Sequence, residues 1–460
     1  MWKLLWSVFF SILLTSGYTQ DQDSGDAIFI RKIYDKVLTD GSAYQWLNHL
    51  TTQIGGRLAG SPQAAQAVTY TRSMLDSLQL DTVWLQPCKV PYWTRGEKED
   101  VHIVTPAANI TLPALALGNS IATSTAGIQA EVIEVKSLEE VEKLGTDKIK
   151  GKIVFYNRPM NPKQIRTFNA YGGAVDQRVN GPSQAARFGA VGTLVRSVTT
   201  LHDDHPHTGV MVNKEGITKI PAVAISTNAA EMLSKMLKEK QVTVFIKTNC
   251  KTRPDADSYN VIGEIRGSTH PDEIILVGGH LDSWDVGQGA HDDGAGCVHA
   301  MEVIRTLKQL NYRPKRTIRC VLFMNEENGL AGGLAYAKAS NEKKEYHLAA
   351  VESDAGGFTP RGFSFDAENE IFAKKFLKTQ DWLPLLEPYG LALNKGGSGA
   401  DISPLKSQKG LLIGFRPDSQ RYFDYHHTET DTFEAVNQRE LELGAAAITS
   451  LIYLIDKHGL

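Results

Sequence analysis

Ile274-Ile275-Leu276-Val277-Gly278-Gly279-His280-Leu281-Asp282-Ser283-Trp284-Asp285-Val286-Gly287-Gln288-Gly289-Ala290-His291-Asp292-Asp293-Gly294-Ala295-Gly296 is the stretch on which the reading of this 460-residue chain turns. Its four leading apolar residues form a short run typical of a strand buried on both faces. The run stops at two glycines. His280, Asp282, Asp285, His291, Asp292 and Asp293 then follow in close succession, the mixture of imidazole and carboxylate that borderline and hard cations bind. Taken alone, the stretch also reads as a polar surface loop with scattered acids, so the rest of the chain has to decide.

From Ser258 a strand–helix alternation runs to the end of the chain. Strands are predicted at Ser258 to Ile265, Ile274 to Val277, Thr317 to Met324, Leu348 to Val351 and Gly410 to Ile413. Helices are predicted at Gly294 to Leu310, where Cys297, Met301, Ile304 and Leu307 recur at helical spacing, and at Glu434 to Lys457. This alternation implies an α/β fold, with a mostly parallel or mixed sheet covered by helices on both faces. In such sheets functional groups gather beyond the carboxyl ends of the strands. The strand at Ile274 ends in His280 and Asp282, the strand at Thr317 in Asn325-Glu326-Glu327, and the strand at Leu348 in Glu352-Ser353-Asp354. The strand at Gly410 is followed by Asp424 to Thr432, which contains His426, His427, Glu429 and Asp431. Side chains chosen for packing would not collect carboxylates and histidines at one sheet edge. Two histidines and several carboxylates can hold two zinc ions if one carboxylate bridges them. Asp292, in a glycine-flanked turn before a helix, is the natural bridge. Adjacent Glu326 and Glu327 point different ways, so one can bind metal while the other faces a water as proton acceptor.

Working outward, residues 43–111 and 252–460 read as one catalytic domain interrupted by an inserted α/β domain over 112–251. Helices flank a glycine-rich break, Gln53 to Ser61, that ends in a capping serine. The cluster His202, Asp203, Asp204, His205 and His207 has no strand to place it and reads as a solvated loop. Lys3, an apolar segment from Leu4 to Leu14 and the small residues Thr15, Ser16 and Gly17 have the layout of a secretory signal peptide over residues 1–20. Residues 21–42 hold little that must be buried together and read as a propeptide or an N-terminal helix. No later segment is long and apolar enough to span a membrane, which predicts a soluble, secreted or lumenal mature chain. Four cysteines are too few for a disulfide framework, and Cys297 and Cys320 read as buried thiols. Asn109-Ile110-Thr111 is a glycosylation sequon. A formal charge of −3 with no basic patch argues against nucleic-acid binding.

The motifs Gly279 to Trp284, Gly289 to Gly296, Asn325 to Glu327, Ser353-Asp354 and His427 to Thr432, in this order, resemble those of the co-catalytic di-zinc exopeptidases of the aminopeptidase and glutamate-carboxypeptidase type. The inserted region is similar to a protease-associated domain. The resemblance implies two zinc ions, one on His280, Asp292 and Asp354 and the other on Asp292, Glu327 and His427. It implies Glu326 as general base and Asp282 as the carboxylate that orients His280, with His291 and Asp285 as bystanders. His427 rather than His426 matches the motif, and a cis peptide between Asp292 and Asp293 is implied. Ser398 and Asp401 are candidates for the substrate pocket, although Ile402 stands where many relatives carry a histidine. A homodimer, zymogen processing and lysosomal or Golgi residence also follow from the resemblance. Dipeptides and short peptides are the implied substrates; carboxypeptidase and aminopeptidase action share this chemistry. A single-zinc cyclase of the glutaminyl cyclase type and a noncatalytic, transferrin-receptor-like protein use the same scaffold. The complete ligand set argues against both.

Overall fold

The computed structural model describes residues 25–366 and 369–460; the signal-peptide segment lies outside them. Eight strands form the first sheet: β1 (Thr82–Thr94), β2 (Lys251–Ile265), β3 (His270–His280), β4 (Arg316–Phe323), β5 (Tyr346–Glu352), β6 (Pro360–Asp366), β7 (Ala392–Lys395) and β8 (Leu411–Pro417). Their spatial order is β1-β2-β4-β3-β5-β8-β6-β7. The central four, β4, β3, β5 and β8, run parallel, and antiparallel strands flank them on both sides. Parallel alignment brings all four carboxyl ends to one edge.

The apolar run behaves as its composition requires. Ile275 and Val277 join the core on one face, and Leu276 joins Ile262, Val321, Phe323 and Tyr336 on the other. The first face is covered by α1 (residues 25–40), α2 (Ala295–Gln309) and, at the carboxyl terminus, α4 (Gln438–His458); α3 (Ala331–Glu342) covers the second. Asn437 caps α4 by accepting the N–H of Glu440 at 3.1 Å. Ser61 caps the helix Pro62–Ser77 in the same way. No helix among the described residues is long and apolar enough to cross a membrane. All four cysteines are buried and unpaired.

Two expectations change. Residues 25–40 form a helix whose Ile30, Ile33, Tyr34 and Val37 are buried in the main core. The segment is thus the N-terminal helix that the sequence offered as one of two readings, and its apolar residues recur at helical spacing, so against expectation it does have something to bury. The second sheet also starts before residue 112, because Asp100–Ile103 pairs with Thr243–Lys247 and Ile110–Thr111 pairs with Asp100–Ile103. The chain therefore leaves the first sheet after Thr94 and re-enters it at Lys251, where β2 pairs along the length of β1. The second sheet is a mixed α/β layer whose parallel centre comprises Ile128–Val135, Ile153–Tyr156, Gly192–Arg196 and Ala222–Ile225.

Candidate metal centre

His280 is the last residue of β3 and is held at two points. Its N–H donates to Asp293 Oδ2 at 2.9 Å, and its Nδ1 lies 2.9 Å from the carbonyl oxygen of Asp282. A carbonyl can only accept, so Nδ1 carries a proton and Nε2 is the nitrogen left to face the carboxylates. Nε2 is 3.2 Å from Asp292 Oδ1 and 3.7 Å from Asp354 Oδ1. On the other side of Asp292, His427 Nε2 lies 3.3 Å from Oδ2 and 3.1 Å from Glu327 Oε2. Asp292 therefore stands between two half-sites, each with one histidine and a further carboxylate. His426 is farther away, its Nε2 3.8 Å from Asp292 Oδ2, and its ring stacks on that of His427. The Asp292–Asp293 peptide is cis.

This donor set fits cations. Asp292 Oδ2 and Glu327 Oε1 are buried and receive no hydrogen bond, an arrangement that costs several kcal/mol unless a positive charge faces it (roughly,). Burial would raise the Asp292 carboxyl, but the imidazoles of His280 and His427 outweigh it and hold the pKa well below the ordinary range. Burial pushes Glu327 up to about 7, with Asp292 adding to the rise. It pushes Glu326 well above its ordinary value, assisted by Asp354 and Glu327 against the lowering effect of His280.

Residues 260–452 match Peptidase family M28. Carboxypeptidase Q of Bos taurus is 35% identical over 436 residues, covering 94% of this chain and 89% of that protein. The structure of a Peptidase M28 precursor from Shewanella amazonensis superposes with a TM-score of 0.88 at 34% identity, covering 94% of this chain and 97% of that one. The chain belongs to peptidase family M28. A zinc aminopeptidase from Bacillus subtilis shares the fold at 20% identity and a TM-score of 0.64, covering 90% of this chain and 95% of that one.

In this M28 metallopeptidase the supports around the candidate ligands differ in part from the sequence reading. Asp282 holds His280 through its backbone carbonyl, while its carboxylate is 3.8 Å from Nδ1. The Oδ1 atom is occupied elsewhere, accepting the N–H of Asn325 at 2.7 Å and of Glu326 at 3.0 Å. Asp401 is buried with both carboxylate oxygens unpartnered, so it does not line an open pocket; Ser398 does. Beside Asp401, Glu352 Oε2 accepts the N–H of Ile402 at 2.9 Å, and burial pushes its pKa to about 7. Asp285 is paired with Arg95 at 2.7 Å, and His291 stacks on Phe358. Asn109 is exposed.

The loop His202 to His207 is not free in solvent throughout. His207 is buried, its Nδ1 2.7 Å from the carbonyl oxygen of His426. Thr208 N–H donates to the His427 carbonyl at 3.0 Å, and the Thr208 carbonyl lies 3.3 Å from His427 Nδ1. Arg178 Nη1 also lies 3.4 Å from His427 Nδ1, so the second domain supplies the groups around this nitrogen as Asp282 does for His280.

Other supports carry little sequence signal. Arg57 is fully buried; its Nε donates to the Leu281 carbonyl (2.6 Å), its Nη1 to that of Gln288 (2.8 Å) and its Nη2 to that of Gly289 (3.0 Å). It clamps the loop between His280 and Asp292, and only the glycine-rich break around it hinted at a role. Asp431 accepts the N–H of His291 at 2.7 Å and of Asp292 at 3.1 Å. Tyr422 is buried; burial and the charges of Asp292 and Asp354 raise its phenol well above the ordinary range.

Proposed function

We propose that this chain is a secreted, zinc-dependent exopeptidase that hydrolyses dipeptides and short peptides. The observation that carries the reading is the shared Asp292 carboxylate, with His280 3.2 Å from one oxygen and His427 3.3 Å from the other. His280, Asp292 and Asp354 would hold one zinc ion; Asp292, Glu327 and His427 would hold the second. When bound, such ions polarise the scissile carbonyl and acidify a water between them. Glu326 accepts the proton of the attacking water and returns it to the leaving amine; a carboxyl lifted above its ordinary range is suited to both steps. Cleavage at the carboxyl-terminal side is supported by relatives named Carboxypeptidase Q. The apolar leader and the exposed Asn109 sequon support passage through the endoplasmic reticulum and Golgi. Homodimer formation and zymogen processing rest on the resemblance.

The test is Glu326→Gln, assayed for zinc content and for dipeptide hydrolysis with and without a chelator. Two zinc ions per chain with turnover down about 10²–10⁴-fold is the expected result. Near-normal hydrolysis by the folded, zinc-loaded variant would refute the role of Glu326. Chelator-resistant activity in the wild-type enzyme would refute the metal.

A further inference from the structure

We propose that the cavity beside Asp354 seats the free carboxylate of the substrate's C-terminal residue on Arg416, an assignment that rests on the peptidase reading above. The cavity, of about 670 Å³, opens at Asp354 and Ala355 and runs between the Gly396–Gly399 segment and residues 165–169 of the second domain. Four cationic side chains, Arg166, Arg361, Lys395 and Arg416, line it against two carboxylates, Asp354 and Asp418. That excess suits an anion and repels a terminal amine.

The four cations are not equivalent. Arg361 is paired with Asp418 at 2.9 Å, and Lys395 lies over the Phe372 ring. Arg166 is exposed at the rim. Arg416 is held entirely by neutral acceptors. Its Nε donates to Ser364 Oγ at 2.7 Å, and its Nη2 to the carbonyls of Gly397 at 2.7 Å and Ser398 at 3.0 Å. Its Nη1 reaches only its neighbour's carbonyl, the Phe415 oxygen, at a marginal 3.5 Å. Gly414 makes room for the group: a Cβ there would fall 2.6 Å from Nη2. The guanidinium is therefore fixed, its hydrogen bonds all go to neutral acceptors while the Asp354 and Glu352 carboxylates act on it only from beyond hydrogen-bond reach, and Nη1 keeps donor capacity. A planar donor already immobilised gives up little entropy when a carboxylate arrives. With the scissile carbonyl at the metal ligands, the next residue extends past Asp354 into this cavity. Its carboxylate meets Arg416, and its side chain meets the half-exposed Phe168 ring.

The test compares alanyl-leucine with alanyl-leucinamide. The zinc-loaded enzyme should show kcat/KM about 10- to 100-fold higher on the free acid, the value of a charge-assisted hydrogen bond. Arg416→Met should bring that ratio close to one, mainly through KM. Arg416→Lys, which keeps the charge without the planar fork, should fall between and serves if the methionine variant does not fold. Equal kcat/KM on both compounds in the wild type, or a proportional drop on both in a folded variant, overturns the seat. Calorimetry on zinc-loaded Glu326→Gln separates the two claims. Preferred binding of the free acid, with no wild-type hydrolysis of either compound, sinks the peptidase reading and keeps the seat. Equal binding of the two sinks the seat alone.

Discussion

Asp282 serves both halves of the chemistry through different atoms. Its carbonyl fixes the His280 tautomer, and its carboxylate gathers the Asn325 and Glu326 N–H groups. The two jobs can be separated by mutation. Asp282→Ala removes the carboxylate and keeps the carbonyl, so His280 remains oriented while the Glu326 turn loses its anchor. The expected outcome is a zinc content equal to wild type with kcat down about 10²-fold, the cost of a misplaced catalytic group. Loss of zinc in that variant would instead mean that the carboxylate orients His280, as the sequence suggested. That suggestion came with the family resemblance, which carries over a residue and its role but not the course of the backbone around it. Which atom of Asp282 turns towards the ring is a matter of backbone course, which residue type does not encode.

Helices α1 and α4 meet around Asp26. This buried carboxylate accepts from Tyr453 at 2.6 Å, pairs with His458 at 2.8 Å and also with Lys457, while Phe29 stacks on Tyr453. Burial alone would raise the Asp26 pKa, but hydrogen bonds from Lys457, Tyr453 and His458 hold it below its ordinary value. A depressed carboxyl contributes stability that is fully present above the unfolded pKa, about 3.9, and disappears as pH falls through the folded pKa. Asp26→Asn should therefore cost about 2 kcal/mol at pH 7, and its Tm deficit should shrink below about pH 4. A deficit of the same size at pH 3, in paired thermal melts, would contradict the assignment. α1 also shows where sequence reading stopped. The central strands are legible because a run such as Ile274 to Val277 is apolar on both faces. Their ends are legible because parallel alignment collects them at one edge. In α1 the buried Ile30, Ile33, Tyr34 and Val37 are interleaved with the charged pairs Arg31-Lys32 and Asp35-Lys36, a short pattern whose partner surface is supplied only by the distant α4. The first half of β2, Lys251 to Asp257, is polar and exposed, so only its pairing with β1 reveals it as a strand.

At the scale of the whole molecule the metal loop belongs to both sheets. Trp284, four residues after His280, is buried in the core of the second domain with Trp93, Leu58 and Val223, and its ring lies 5.7 Å from that of His427. Arg95 ties Asp285 to the same domain. The reading of His202 to His207 as a solvated loop holds for His202 and Asp204, which are exposed, and misses only the buried His207 for the same reason: its partner, the His426–His427 turn, lies more than two hundred residues away. The second domain therefore acts as a wall of the site, and a change within it should be felt at the metals. Gly118 is the sharpest probe, since a Cβ there would collide with the Trp284 ring. Gly118→Ala should lower stability by about 1–3 kcal/mol, the usual cost of overpacking, and reduce kcat although it alters no ligand. Trp284→Phe in that background shrinks the ring and should recover part of both losses, giving a positive coupling in the double-mutant cycle. Strictly additive losses in Tm and kcat would show that the two positions act independently and that the second domain is a passenger on the catalytic sheet.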